Sequence, residues 1–135
     1  MKYVEFSELL GLTLKEVIVK RGGRDLIYFI TNDSRFFKMH HKQDCCETVC
    51  IDDIAGDMSD LIGLPLLTAE EVSNNDSPPE PDNYGTHTWT FYKLATFKGH
   101  VVIRWFGESN GFYSESVDFE EMDLKNDIFD KLKDL

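Results

Sequence analysis

Thr88-Trp89-Thr90-Phe91-Tyr92, the pair Lys98-Gly99, the run Val101-Val102-Ile103-Arg104-Trp105-Phe106 and the pair Asn110-Gly111 succeed one another within residues 86–119. This stretch decides the fold class. Its residues are β-branched and aromatic, the types that suit a pleated surface. Strand side chains alternate between faces, so Val101, Ile103 and Trp105 share one face and His100, Val102, Arg104 and Phe106 the other. Lys98-Gly99 turns the chain, and Asn110-Gly111 is a strong hairpin signal because both residues tolerate positive φ. The pattern predicts an antiparallel meander whose last strand returns over Phe112–Phe119, with Tyr113, Val117 and Phe119 on one face.

The same logic extends in both directions. Val17 and Val19 alternate with polar neighbours, Gly22-Gly23 makes a turn, and Leu26, Tyr28 and Ile30 oppose Ile27 and Phe29. This reads as a hairpin whose second strand is covered on both faces. Further strands are expected over Arg35–His41, Thr48–Ile51 and Pro65–Val72. Short helical segments are expected over residues 6–14, with Ser7 as cap and Gly11 as stop, and over Asp57–Ile62. Asp123 caps a final helix in which Leu124, Ile128, Leu132 and Leu135 form one apolar stripe. The expected fold class is α+β, mostly β: an antiparallel sheet of about six or seven strands, a C-terminal amphipathic helix on one face, and one or two short helices. At 135 residues the chain reads as a single domain. The proline-rich loop of residues 74–85 is internal to it.

Charge is unevenly placed. The net charge is −11, yet residues 44–82 carry eleven acids and no Lys or Arg, while the two flanks cancel. Such a balance disfavours direct binding to nucleic acid or an anionic membrane. No apolar run approaches the ~20 residues that span a bilayer. No signal-peptide core opens the chain, and a cytoplasmic location is expected. The acid-only segment has two readings, a solvated face or a surface that docks on a basic protein partner.

His40, His41, Asp44, Cys45, Cys46, Glu47 and Cys50 are the densest set of reactive types. Their spacing fits no paired zinc pattern, and strand alternation sends His40 and His41 to opposite faces, so neither a metal nor a cofactor is expected. Cys45, Cys46 and Cys50 are expected to be reduced, since adjacent cysteines diverge. Acids beside Cys46 oppose a thiolate nucleophile there. Glu108 and Glu115 flank the Asn110-Gly111 turn, where facing carboxylates can share a site. Trp89, Tyr92, Trp105, Phe112 and Tyr113 are either core or stacking platforms. Nucleotide, hydrolase and metalloprotease motifs are absent.

Three stretches carry a resemblance: Gln43-Asp44-Cys45-Cys46-Glu47; Ala69-Glu70-Glu71-Val72-Ser73-Asn74 leading to Pro78-Pro79; and Thr88-Trp89-Thr90-Phe91-Tyr92-Lys93-Leu94 with the later run Val102 to Glu115. Together they resemble a domain family of unknown function encoded largely by bacteriophages and prophages, over roughly residues 15–120. The resemblance implies a small soluble accessory protein and no particular reaction. The leading expectation is a non-enzymatic binding protein, an inhibitor of a host defence protein with a basic surface. The alternative is a small-molecule, nucleotide-like binder or enzyme. The candidate binding residues are Gln43, Asp44, Glu47, Glu108, Ser109, Asn110, Tyr113, Ser114 and Glu115.

Overall fold

The computed structural model describes residues 2–76 and 85–123. Within them are nine strands: β1 (Lys2–Tyr3), β2 (Leu14–Lys20), β3 (Leu26–Thr31), β4 (Phe36–His40), β5 (Thr48–Ala55), β6 (Thr68–Asp76), β7 (Thr86–Thr96), β8 (Gly99–Ser109) and β9 (Asp118–Met122). They form two antiparallel sheets, one of five strands in the order β1-β9-β4-β3-β2 and one of four in the order β5-β8-β7-β6. In the second sheet, β6, β7 and β8 are consecutive and β5 lies beside β8, a Greek-key arrangement.

The inner faces of the two sheets meet in one core. Ile27, Phe29, Phe37, Met39 and Phe119 come from the five-stranded sheet; Ile51, Tyr92, Leu94, Val101, Ile103 and Trp105 come from the four-stranded one. Trp105 is 1% exposed, and its indole Nε1–H points at Met39 Sδ across the gap at 3.2 Å. Phe6 enters between the sheets from a 3-10 turn, Phe6–Leu9, and touches Phe29, Phe119 and Tyr92, the last with ring centroids 4.7 Å apart. Burial of such rings is the main stabilising term in a sandwich of this size.

The β2–β3 hairpin follows the sequence pattern, pairing Val17 with Phe29 and Val19 with Ile27. So does the two-sided covering of β3: Ile27 and Phe29 face the main core, while Tyr28 joins Phe36 and Met122 in a second cluster on the opposite face.

The α+β expectation is corrected. Two sheets replace a single one, with nine strands rather than six or seven. Among the described residues the helical elements are the 3-10 turns Phe6–Leu9 and Met58–Leu61. Glu5 rather than Ser7 holds the cap position of the first turn, with no side-chain cap bond. The expected C-terminal helix over residues 124–135 lies outside the described residues. The covering expected from that helix is supplied on the inner faces by the second sheet. The return strand over Phe112–Phe119 is also corrected: residues 110–117 are irregular, and β9 pairs with β1 and β4 in the other sheet. The proline-rich loop starts later than expected, since Asn74 and Asn75 pair with Trp89 and Thr88 inside β6–β7; residues 77–84 lie outside the described residues. Among the described residues no helix is long and apolar enough to cross a membrane.

Candidate functional site

Between β4 and β5, residues 41–47 turn around one carboxylate. The Glu47 side chain is closed to solvent. It accepts from the backbone N–H groups of Asp44 (2.9 Å) and Cys45 (2.8 Å), from Gln43 Nε2 (3.0 Å) and from His41 Nε2 (2.8 Å). Burial pushes its pKa up, but the Cys45 and Asp44 N–H groups and His41 outweigh burial and hold it at about 2. His41 reaches the Ser116 carbonyl with its other nitrogen, Nδ1, at 2.7 Å. Both ring nitrogens are thereby engaged, and His41 fixes this loop against residues 114–118. The Lys42 N–H adds a bond to Asp118 Oδ2 at 2.9 Å.

Glu115 is a second buried carboxylate, 9% exposed. It accepts from the hydroxyls of Thr88 (2.7 Å), Ser109 (2.6 Å) and Thr86. Burial raises its pKa, and the Ser109, Thr86 and Thr88 hydroxyls more than offset that, leaving it below the usual carboxylate range. Its backbone lies on Gly107, where a Cβ would come within 2.8 Å of the Glu115 carbonyl oxygen.

The expected approach of Glu108 to Glu115 is not made. Glu108 is exposed on the outer face of β8, 3.7 Å from His87, whereas Glu115 is packed beneath the inner face. Of the candidate residues, Gln43, Asp44 and Ser114 do come together. With Tyr3, His41, Lys42, Ser116 and Asp118 they line a cleft of about 300 Å³. Ser109 meets Glu115 instead, and its Oγ also accepts from the Gly111 N–H, while Asn110 Oδ1 accepts from the Phe112 N–H, each of these turn bonds being 3.0 Å. Tyr113 is half-buried nearby.

The expectation of three reduced thiols is corrected: Cys45 and Cys46 are joined by a disulfide, with Cα atoms 3.7 Å apart, and Cys50 alone is free. The divergence argument assumes an extended strand, whereas the Glu47 carboxylate curls residues 43–47 into a tight turn. Burial, with Asp25 and Asp52 nearby, raises the Cys50 pKa and opposes its use as a nucleophile. Among the described residues no group of three or more His, Cys, Asp or Glu is arranged to hold a metal ion.

The outer face of the four-stranded sheet is the feature that sequence reasoning misses. Pairing puts Cys50, Phe106, Trp89 and Asn74 in one row across it, and Asp53, Arg104, Phe91 and Val72 in the next. Trp89 and Phe106 have ring centroids 4.5 Å apart, Arg104 lies 5.4 Å over Trp89, and Val72 is 40% exposed. Asn74, Trp89, Phe91 and Arg104 line a shallow hollow of about 210 Å³. Solvent-facing positions of an antiparallel sheet are ordinarily polar. The signal is present in β7, where His87, Trp89 and Phe91 alternate with Thr88, Thr90 and Tyr92, so that both faces carry rings. The acid-only segment supplies β5 and β6, the two edges of this sheet. Asp52, Asp53 and Glu70 are exposed there, and a bulge between Ile51 and Asp53 brings Asp52 onto Arg104 Nε at 2.6 Å.

Residues 7–119 match the family described as Domain of unknown function (DUF7448), and the chain belongs to that family. No curated protein and no solved structure matches it.

Proposed function

We propose that this protein acts by binding, and that the outer face of the four-stranded sheet docks on a basic surface of a protein partner. The observation that carries this reading is the placement of rings between acidic edges: Trp89, Phe91 and Phe106 in the centre, Asp52 and Asp53 on β5, Glu70 on β6. Aromatic anchors inside a charged rim are what protein interfaces use, and a basic partner is selected by the sign of the rim. Strands of up to 11 residues make a face of roughly 600 Å², near the ~800 Å² that each partner contributes to a standard interface. Binding rather than catalysis is favoured because Glu47 and Glu115 are saturated by donors, leaving neither available as an acid or base. The phage resemblance suits a small accessory protein in the bacterial cytoplasm that inhibits a host defence protein. The negative rim disfavours direct contact with nucleic acid.

Affinity capture from bacterial lysate at about 50 and about 500 mM salt tests this. A partner with a basic surface is expected at low salt and lost at high salt, and lost from the variant Asp52→Asn/Asp53→Asn/Glu70→Gln at either. Capture of no partner, or of the same partner by that variant, overturns the reading.

A second reading is a small-molecule binder, favoured by the cleft in which Gln43 and Asp44 meet Ser114 and Ser116. A thermal-shift screen with nucleotides and divalent metals checks it: a ligand-dependent rise in Tm that Ser114→Ala removes supports it, and no rise excludes it.

A further inference from the structure

On the far side of residues 41–43 from the Ser114 cleft lies another, of about 280 Å³, with a different chemistry. Its walls include Arg24, Lys38, Lys42, His40 and Asp25. The β3–β4 register pairs Leu26 with His40 and Tyr28 with Lys38. Lys38 and His40 therefore share one side of β4, and the cleft is completed by Arg24 from the bend before β3 and Lys42 from the irregular segment after β4. Three cations thus gather at one cleft in a chain whose net charge is −11.

The one acid among the residues lining this cleft, Asp25, is spent on other donors. Asp25 is 7% exposed and accepts from the N–H groups of Gly22 (3.0 Å) and Ile51 (2.8 Å), one on each oxygen. Glu120 takes His40 Nε2 at 3.0 Å, and Asp118 takes the Lys42 N–H. Among the described residues neither Arg24 nor Lys42 forms an ion pair through its side chain, and both are exposed at the cleft mouth. A guanidinium fork opposite an ammonium group suits a tetrahedral dianion with several oxygens. A concave wall concentrates the field of its charges.

We infer that this cleft binds a small phosphate-bearing anion, held by Arg24 and Lys42 at the mouth. This site is on the five-stranded sheet and is independent of the aromatic face proposed for the partner.

Amide chemical shifts of the full chain, titrated with inorganic phosphate and separately with AMP at constant ionic strength against chloride, test it. Saturable shifts centred on residues 24–26 and 38–43 are expected. Arg24→Ala and Lys42→Ala should each weaken binding by about tenfold or more, as the loss of a charge-assisted contact requires, while Lys15→Ala on β2 leaves it unchanged. Tighter binding of AMP than of phosphate identifies a nucleotide as the source, and equal binding identifies free phosphate. Shifts that do not saturate, or cleft variants that bind like the parent, overturn the proposal. The two substituted side chains are exposed, so a spectrum of the folded protein is expected from both variants.

Discussion

Glu47 shows how one residue organises a loop and how that role is measured. Its carboxyl is held at about 2, against an ordinary value of 4.5. A depressed pKa in the folded state means that the ionised form contributes stability, fully present above pH 4.5 and lost as the pH falls toward 2. Glu47→Gln keeps the shape but sets an amide group among the Asp44, Cys45 and His41 donors. The variant is expected to unfold at lower urea than the parent at pH 7, with the gap narrowing between pH 4.5 and 2. Equal urea midpoints at pH 7 would remove Glu47 from this role. Gly107 is the matching case for Glu115. A methyl group there meets the Glu115 carbonyl oxygen at 2.8 Å and Cβ at 2.9 Å. Gly107→Ala is expected to cost about 1–3 kcal/mol in urea unfolding, the usual range for overpacking. An unchanged midpoint would show that the 108–117 loop is not held under β8. Neither role is legible in the sequence. Spacing leaves Gln43, Asp44 and Glu47 open to a ligand, because it does not show which donors a carboxylate has already met.

At the scale of elements, the legible part is local. The Gly22-Gly23 hairpin and the alternation in β3 depend on neighbours in sequence and are found, while the turn expected at Lys98-Gly99 falls one residue earlier, at Phe97-Lys98, with Gly99 already paired to Thr96. The chemistry of the Asn110-Gly111 turn is legible too, since Gly111 has φ +95°. The path of the chain beyond that turn is not. The hydroxyls of Thr86, Thr88 and Ser109 draw Glu115 beneath β8, where a returning strand does not fit, and the chain crosses to the other sheet before β9. Those bonds link residues up to 29 positions apart, beyond any local pattern. Phe6 is another long-range element, a ring from a 3-10 turn wedged between both sheets. Phe6→Ala is expected to cost about 3–5 kcal/mol by chemical denaturation. A loss below ~1 kcal/mol would mean that the wedge is dispensable.

At the scale of the molecule, the acid-only segment is visible in the sequence, but its geometry is not. Folding turns one continuous stretch into two separated edges, β5 and β6, with the basic and aromatic residues of β7 and β8 between them. Acids on exposed edge strands also discourage edge-to-edge association of copies of this chain, so some of that charge serves solubility. In the reading proposed above, the rings set on the outer face make it a docking surface rather than a solvated one. Calorimetric titration of the captured partner with the parent protein and with Trp89→Ser/Phe106→Ser tests that distinction most directly. Loss of two central aromatic anchors is expected to weaken affinity by about a hundredfold or more, with the circular dichroism of the folded protein retained. Parent-like affinity in the folded double variant would contradict the account.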